Sequence, residues 1–170
     1  MTRPHRPTDH RTGTSPLKDV SEVVDEYTGR RRTVVQYAVT TKQLVGAAKQ
    51  PGFGADGWAP LAALVAVGEF ERVGNFKEVM NWEQYIDFMT NWAAASEWDG
   101  LFKRISEVDG VVFLELEEHT KMGDFESVVN SISVYEFTAD DKIRHIDLYL
   151  QMALPNTEML TSYEGVAISD

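Results

Sequence analysis

The most regular patterning of apolar and polar side chains lies in two neighbouring stretches near the C-terminus, Val111 to Lys121 (VVFLELEEHTK) and Asn130 to Met152 (NSISVYEF, TADD, KIRHIDLYLQM). A pleated strand sends successive side chains to opposite faces, so a period of two predicts three antiparallel strands joined by tight turns. A fourth strand, from about Trp98 to Val108, leads into them through Asp109-Gly110. Residues 81–93 repeat at the helical period instead. Asn81 can cap, Gln84 sits where a capping box needs it, and Trp82, Tyr85, Ile86, Met89, Trp92 and Ala93 fall on one face.

The N-terminal half is patterned less sharply. Residues 33–49 become helix-like through Lys42-Gln43-Leu44-Val45, and Pro51-Gly52-Phe53-Gly54 with Asp56-Gly57 then breaks the chain. A shorter helix follows from Trp58 to about Val67, then a short strand over 68–73 (GEFERV) and a turn at Gly74-Asn75. Residues 16–32 fit two readings. Leu17, Val20, Val24 and Tyr27 form a helical face ending at Gly29, while a hairpin turning at Thr28-Gly29 would use the β-branched run Val34 to Val39. Residues 1–15 hold almost nothing apolar and are expected to be a disordered tail; residues 156–170 are read as a C-terminal tail. The element order predicts an α+β domain with helices gathered on one face of an antiparallel sheet, and no parallel βαβ unit is needed. PGFGADG does not follow a strand as a phosphate-cradling loop would.

Composition narrows the function classes. With 170 residues and 43% hydrophobic content the chain fits one domain. A net charge of −11 works against a nucleic-acid partner. There is no cysteine, so a metal would have to use His and carboxylates. No segment has the apolar length of a membrane span or a signal-peptide core, which predicts no membrane partner and a cytoplasmic location. The Arg30-Arg31-Arg32 run reads as solvated surface.

The order of elements, with GEFERVGNF before a Trp-rich helix and ADDKIRHIDLYLQ at the end, resembles the SnoaL-like branch of the nuclear transport factor 2-like superfamily over about residues 33–152. The resemblance implies a SnoaL-like domain at 33–155 with the cystatin-like fold: a cone-shaped α+β barrel whose curved antiparallel sheet carries helices on its concave face. It also implies a pocket for a small apolar molecule. Family members include polyketide cyclases, ketosteroid isomerase, limonene epoxide hydrolase and scytalone dehydratase, beside non-enzymatic association domains, so the fold alone does not select a reaction.

Candidate residues follow from alternation. On the strand 111–121, Val112, Leu114, Leu116, Glu118 and Thr120 share the side expected to face the core, which makes Glu118 a carboxylate on an apolar face and a candidate acid or base. On the last strand Arg144, Ile146, Leu148, Leu150 and Met152 face inward; Ile143, His145, Asp147 and Tyr149 face outward. His145 and Asp147 have the types of a base and its orienter, and only a bulge would turn them in. Pairing Phe137 with Lys142 puts Tyr135, Ser133 and Ser131 opposite the inward set, where two serines would hollow the core into a pocket. Trp82, Tyr85 and Trp92 suit an aromatic ligand, with Phe70, Leu116 and Leu148 completing the expected lining. A metal set of Glu117, His119, His145 and Asp147 is spread too widely over the sheet, so no metal and no cofactor are expected.

Set against the family's chemistries, epoxide hydrolysis lacks its arginine, since Leu116 stands in that place. Isomerase-type chemistry has Glu71 as base with Glu118 or Tyr135 as donor, and cyclase chemistry needs one placed acid/base in a shaped cavity. The leading expectation is a cofactor-free acid/base enzyme (isomerase, cyclase or dehydratase) acting on an apolar ring-containing metabolite. The alternatives are a non-catalytic binding or dimerisation module and an epoxide-hydrolase-like enzyme. An outer sheet face carrying Ile132, Val134, Ile143 and Tyr149 predicts an isologous homodimer.

Overall fold

Four long strands occupy the C-terminal half of the chain in a computed structural model, which describes residues 16–153; the expected tails at 1–15 and 156–170 lie outside the described residues. They are β4 (Ser96–Val108), β5 (Val111–Met122), β6 (Phe125–Phe137) and β7 (Ile143–Gln151). They pair antiparallel in chain order, and the turn at Asp109-Gly110 has positive φ at both residues, 51° and 79°, as a two-residue hairpin that follows strand twist requires. β6 begins five residues before the alternating stretch at Asn130. Its first turn projects beyond the core, with Phe125 and Val128 exposed, and is held by pairing with β5 rather than by burial.

Three short strands complete a curved, unclosed seven-stranded sheet in the order β1-β4-β5-β6-β7-β2-β3, where β1 is Lys18–Asp19, β2 Glu71–Val73 and β3 Val79–Asn81. The sheet is antiparallel except at one edge: β2 runs parallel to β7. That parallel pair, and β3, were not foreseen from the sequence.

Helices α1 (Gly29–Ala47), α2 (Ala59–Ala62) and α3 (Trp82–Ala95) cover one face. Val34, Val35, Tyr37 and Ala38 of α1 and Tyr85, Ile86, Met89 and Ala93 of α3 form a single buried cluster with Val112, Leu114, Leu116, Tyr135 and Ile146 of the sheet. Burial of this stripe outweighs the strand preference of Val34 to Val39, which is helical. At the start of α3, Asn81 accepts from the Gln84 N–H and Gln84 accepts from the Asn81 N–H, both at 3.0 Å.

Residues 16–32 form neither a helix ending at Gly29 nor a hairpin. After β1 come two 3-10 turns, Val20–Glu22 and Val24–Glu26, the first capped by Asp19 and Glu22. The buried pair is Val20 and Val23, at 3-10 spacing, while Leu17 is exposed. Gly29, at φ 61°, starts α1 instead of ending a helix. The helix expected from Trp58 to Val67 stops at Ala62 because the chain is drawn onto the sheet: Ile143 N–H donates to the Leu64 carbonyl and Ala66 N–H to the Ile143 carbonyl. Arg30 is also not a solvated surface group. It donates to Asp141 and to the Gly110 carbonyl, at 2.6 and 2.9 Å, tying the start of α1 to two hairpin turns.

Candidate functional site

A cavity of about 280 Å³ opens between the concave face of the sheet and helices α1 and α3. Its floor is built by alternation. β5 contributes Leu116, Glu118 and Thr120, β6 contributes Ser133 and Tyr135, and β7 contributes Ile146, Leu148 and Leu150. The roof comes from Tyr37, Ala38 and Thr41 of α1 and from Tyr85, Phe88, Met89 and Trp92 of α3. Arg72 of β2 and Trp98 of β4 close the sides.

Register explains who is inside. Tyr135 pairs with Ile146 and Ser133 with Leu148, so both residue pairs share the concave face. A bulge between Glu136 and Phe137 sets Phe137 opposite Ile143, leaving Arg144 as the extra residue. Ile143 is therefore fully buried and Arg144 points outward to Glu136 at 2.5 Å, the reverse of what uninterrupted alternation predicts. Because the bulge precedes His145, it leaves the remainder of β7 in the expected register: His145 and Asp147 stay on the outer face. There Nδ1 of His145 lies 3.3 Å from Glu71 and Nε2 lies 3.1 Å from Asp147. Glu71 is opposite His145 in the β2–β7 ladder and shares that outer face, which removes it as a base inside the cavity. His119 pairs with Glu117 at 2.8 Å, and among the described residues no group of three or more His, Asp or Glu side chains is placed to hold a metal ion.

Of the expected site residues, Glu118, Tyr135, Tyr85, Trp92, Leu116, Ser133 and Leu148 line the cavity. Phe70 and Trp82 form an aromatic layer against Tyr85, with ring centroids 5.8 and 6.3 Å from its ring. Ser131 is buried without lining the cavity, and its hydroxyl has no hydrogen-bond partner.

Three lining residues with chemistry were missed. Trp98 donates its indole N–H to Glu118 Oε2 at 2.8 Å, which orients the carboxylate and leaves its other oxygen uncommitted among the described residues. The ring reaches across β4 because Gly100, opposite Glu118, has no side chain; a Cβ there would lie 3.0 Å from the indole and 3.3 Å from Leu116. Tyr37 donates its hydroxyl to that of Tyr85 at 3.4 Å. Arg72 stacks over the Tyr85 ring, 5.2 Å from its centroid. Alternation in GEFERV carries a signal for Arg72, since Phe70 and Arg72 share a face and Glu71 does not. Trp98 carries one too, at spacing two from a glycine. Tyr37 is hidden in a stretch whose helical character local sequence leaves open.

Burial raises the Tyr37 and Tyr135 phenols above their ordinary range, and neighbouring Tyr85 adds to this; at Tyr135 the Ser133 hydroxyl and Arg72 pull the other way while Glu118 pushes further up. The cavity thus presents a positioned carboxylate, neutral phenol donors and a guanidinium within an otherwise apolar wall. Such a set can move a proton and stabilise a developing oxyanion.

No family model matches the chain, and no curated protein matches its sequence. Solved structures do match in three dimensions. A proposed SnoaL-like polyketide cyclase from Shewanella denitrificans superposes with a TM-score of 0.57 at 8% identity, covering 72% of this chain and 90% of that one. A protein of ketosteroid isomerase-like fold from Catenulispora acidiphila, in complex with trimethylamine, gives 0.54 at 13% identity over 72% and 86%. A nuclear transport factor 2-like protein of unknown function from Cytophaga hutchinsonii gives 0.52 at 11% identity over 74% and 92%. The chain has the nuclear transport factor 2-like fold of these SnoaL-like and ketosteroid isomerase-like structures, a mixed α+β domain around a curved, unclosed sheet.

Proposed function

We propose that this protein binds a small ring-containing metabolite in the concave cavity and catalyses proton transfer on it, using side chains alone, as an isomerase or cyclase. The observation that carries the reading is the Trp98–Glu118 hydrogen bond at 2.8 Å, which aims a half-buried carboxylate into a cavity that also holds the phenol of Tyr135. Glu118 is the base: it removes a proton from carbon next to a ligand carbonyl. The electron pair moves to the carbonyl oxygen, where the neutral phenol of Tyr135 donates a hydrogen bond to the enolate. Where a double bond is conjugated to the enolate, return of the proton from Glu118 to the far carbon completes an isomerisation; where the enolate carbon attacks a second carbonyl, the alkoxide oxygen formed takes that proton from Glu118 and completes a cyclisation.

Deuterium incorporation from D2O into a panel of cyclic ketones, followed by NMR, tests this. The wild-type chain should accelerate exchange, and Glu118→Gln should slow it at least about 100-fold. Exchange by the variant at the wild-type rate removes Glu118 as the base. Ligand retention in native mass spectrometry without exchange supports a non-catalytic binding module instead.

The same reading includes an isologous homodimer through the outer sheet face. Ile132 and Tyr149 pair across β6 and β7 there, exposed at 42% and 60%, although Ile143 no longer contributes because it is buried. Light scattering that gives a monomer at micromolar concentration overturns the dimer. Among the described residues no helix is long and apolar enough to cross a membrane.

A further inference from the structure

Arg72 is the one cation among the residues that line the cavity, and the protein leaves most of its donors unused. Its side chain is 14% exposed. Glu78 approaches Nη1 only to 3.7 Å, beyond hydrogen-bond reach, and is itself held by the Phe76 N–H at 2.9 Å. The other contact is the face of Tyr85, which offers no acceptor for the planar fork. Among the described residues no side chain or carbonyl accepts a hydrogen bond from this guanidinium, and none of its nitrogens is a fully buried atom without a partner, so its five N–H groups stay open to an incoming acceptor.

Placement adds to this. In the order β5-β6-β7-β2, Arg72 is three strands from Glu118, roughly 14 Å across the strands, and its ladder row through Ile146 and Tyr135 meets β5 at Val112, well before Glu118, so the two charges take different ends of the cavity. Tyr135 lies on the strand between β5 and β7, and the field of Arg72 reaches both its phenol and that of Tyr37. A ligand with its reacting carbon at Glu118 can therefore place a distant group against Arg72. A guanidinium fork matches two coplanar oxygens, and a fixed cation disfavours an amine at the same place.

We infer that Arg72 recognises a carboxylate on the ligand, which makes the ligand a ring-containing carboxylic acid; this rests on the reading of the cavity as a small-molecule site. The apolar wall takes the ring, and the acid group anchors it.

Calorimetric titration of the full chain with naphthoate and with its neutral isostere naphthamide tests the assignment. Naphthoate is expected to bind about 10- to 100-fold more tightly, and Arg72→Met to bring the two within about threefold of each other. Glu78→Gln, which removes a competing carboxylate outside the cavity and leaves Arg72 in place, is expected to strengthen naphthoate about threefold, and decides the matter if Arg72→Met does not fold. Equal affinity for both compounds in the wild type, or a preference that survives Arg72→Met, overturns the carboxylate assignment while leaving the cavity as an apolar site. Naphthoate binding unchanged or weakened in Glu78→Gln also overturns it. Failure of both compounds to bind overturns the assignment and the small-molecule reading together.

Discussion

Alkaline unfolding gives a quantitative test of whether the cavity keeps its phenols dry. Tyr37 and Tyr135 are 5% and 4% exposed, and burial raises both above their ordinary value of 10.0. A group held neutral in the folded chain contributes stability that is complete below its unfolded pKa. That contribution is lost as pH rises from there toward the folded value, because only the unfolded chain releases the proton. At pH 11 each unfolded tyrosine gains about 1.4 kcal/mol from ionisation, so the pair costs the fold about 2.8 kcal/mol relative to pH 8. The slope above pH 10 approaches two protons. Lysine and arginine titration overlaps this range, so the comparison is with Tyr37→Phe/Tyr135→Phe, in which those background terms remain. Urea unfolding at pH 8, 10, 10.5 and 11, followed by circular dichroism, should show the wild type losing about 2.8 kcal/mol more than the double variant between the ends of the series. Parallel curves for the two proteins would refute the reasoning. They would mean that water in the cavity solvates the phenolates and that Tyr135 is not held neutral by its surroundings.

Other expectations are simpler. Asn81→Ala removes the reciprocal cap of α3 and should lower stability by about 1 kcal/mol in urea melts, with little change in the cavity. Gly100→Ala forces a Cβ to within 3.0 Å of the Trp98 indole; the Trp98 indole N–H signal in a two-dimensional NMR spectrum should shift as its bond to Glu118 breaks, with a loss of about 1–3 kcal/mol. An unshifted signal would mean that strand β4 moves instead of the ring. Ser131→Ala deletes a buried hydroxyl without a partner and should raise the melting temperature, by up to about 1 kcal/mol in stability; a loss would reveal an acceptor or a bound water there.

The strands and the N-capped helical stripe of α3 were legible because each buries one face, and a buried face imposes its period on the sequence. Leu116 and Glu118 were placed by that period alone, whereas Tyr135, Ser133 and Leu148 were brought together by it with an expected Phe137–Lys142 pairing, which the bulge replaces with Phe137 opposite Ile143 while leaving the same face inward. Errors arose where the period is interrupted or too short to read. The bulge at Arg144 exchanges the faces of Ile143 and Arg144 without leaving a mark in composition, and it removes Ile143 from the outer face where a dimer contact was expected. β2 and β3 have three residues each, too few to show alternation against background, so Glu71 was selected when Arg72 is the residue that enters the cavity. His145, Glu71 and Asp147 look catalytic by type, yet they form a cluster on the opposite side of the sheet.

The amino-acid sequence by itself determined the α+β class, the long antiparallel strands, the capped helix and the inward side of β5, because these depend on local propensity and on which side of one element is apolar. Tertiary structure alone decided that β2 joins β7 in parallel, that Val34 to Val39 is helical, and that Trp98, Arg72 and Tyr37 meet Glu118 and Tyr135 around one cavity. Those outcomes depend on contacts between residues far apart in the chain, whose energies no local pattern records.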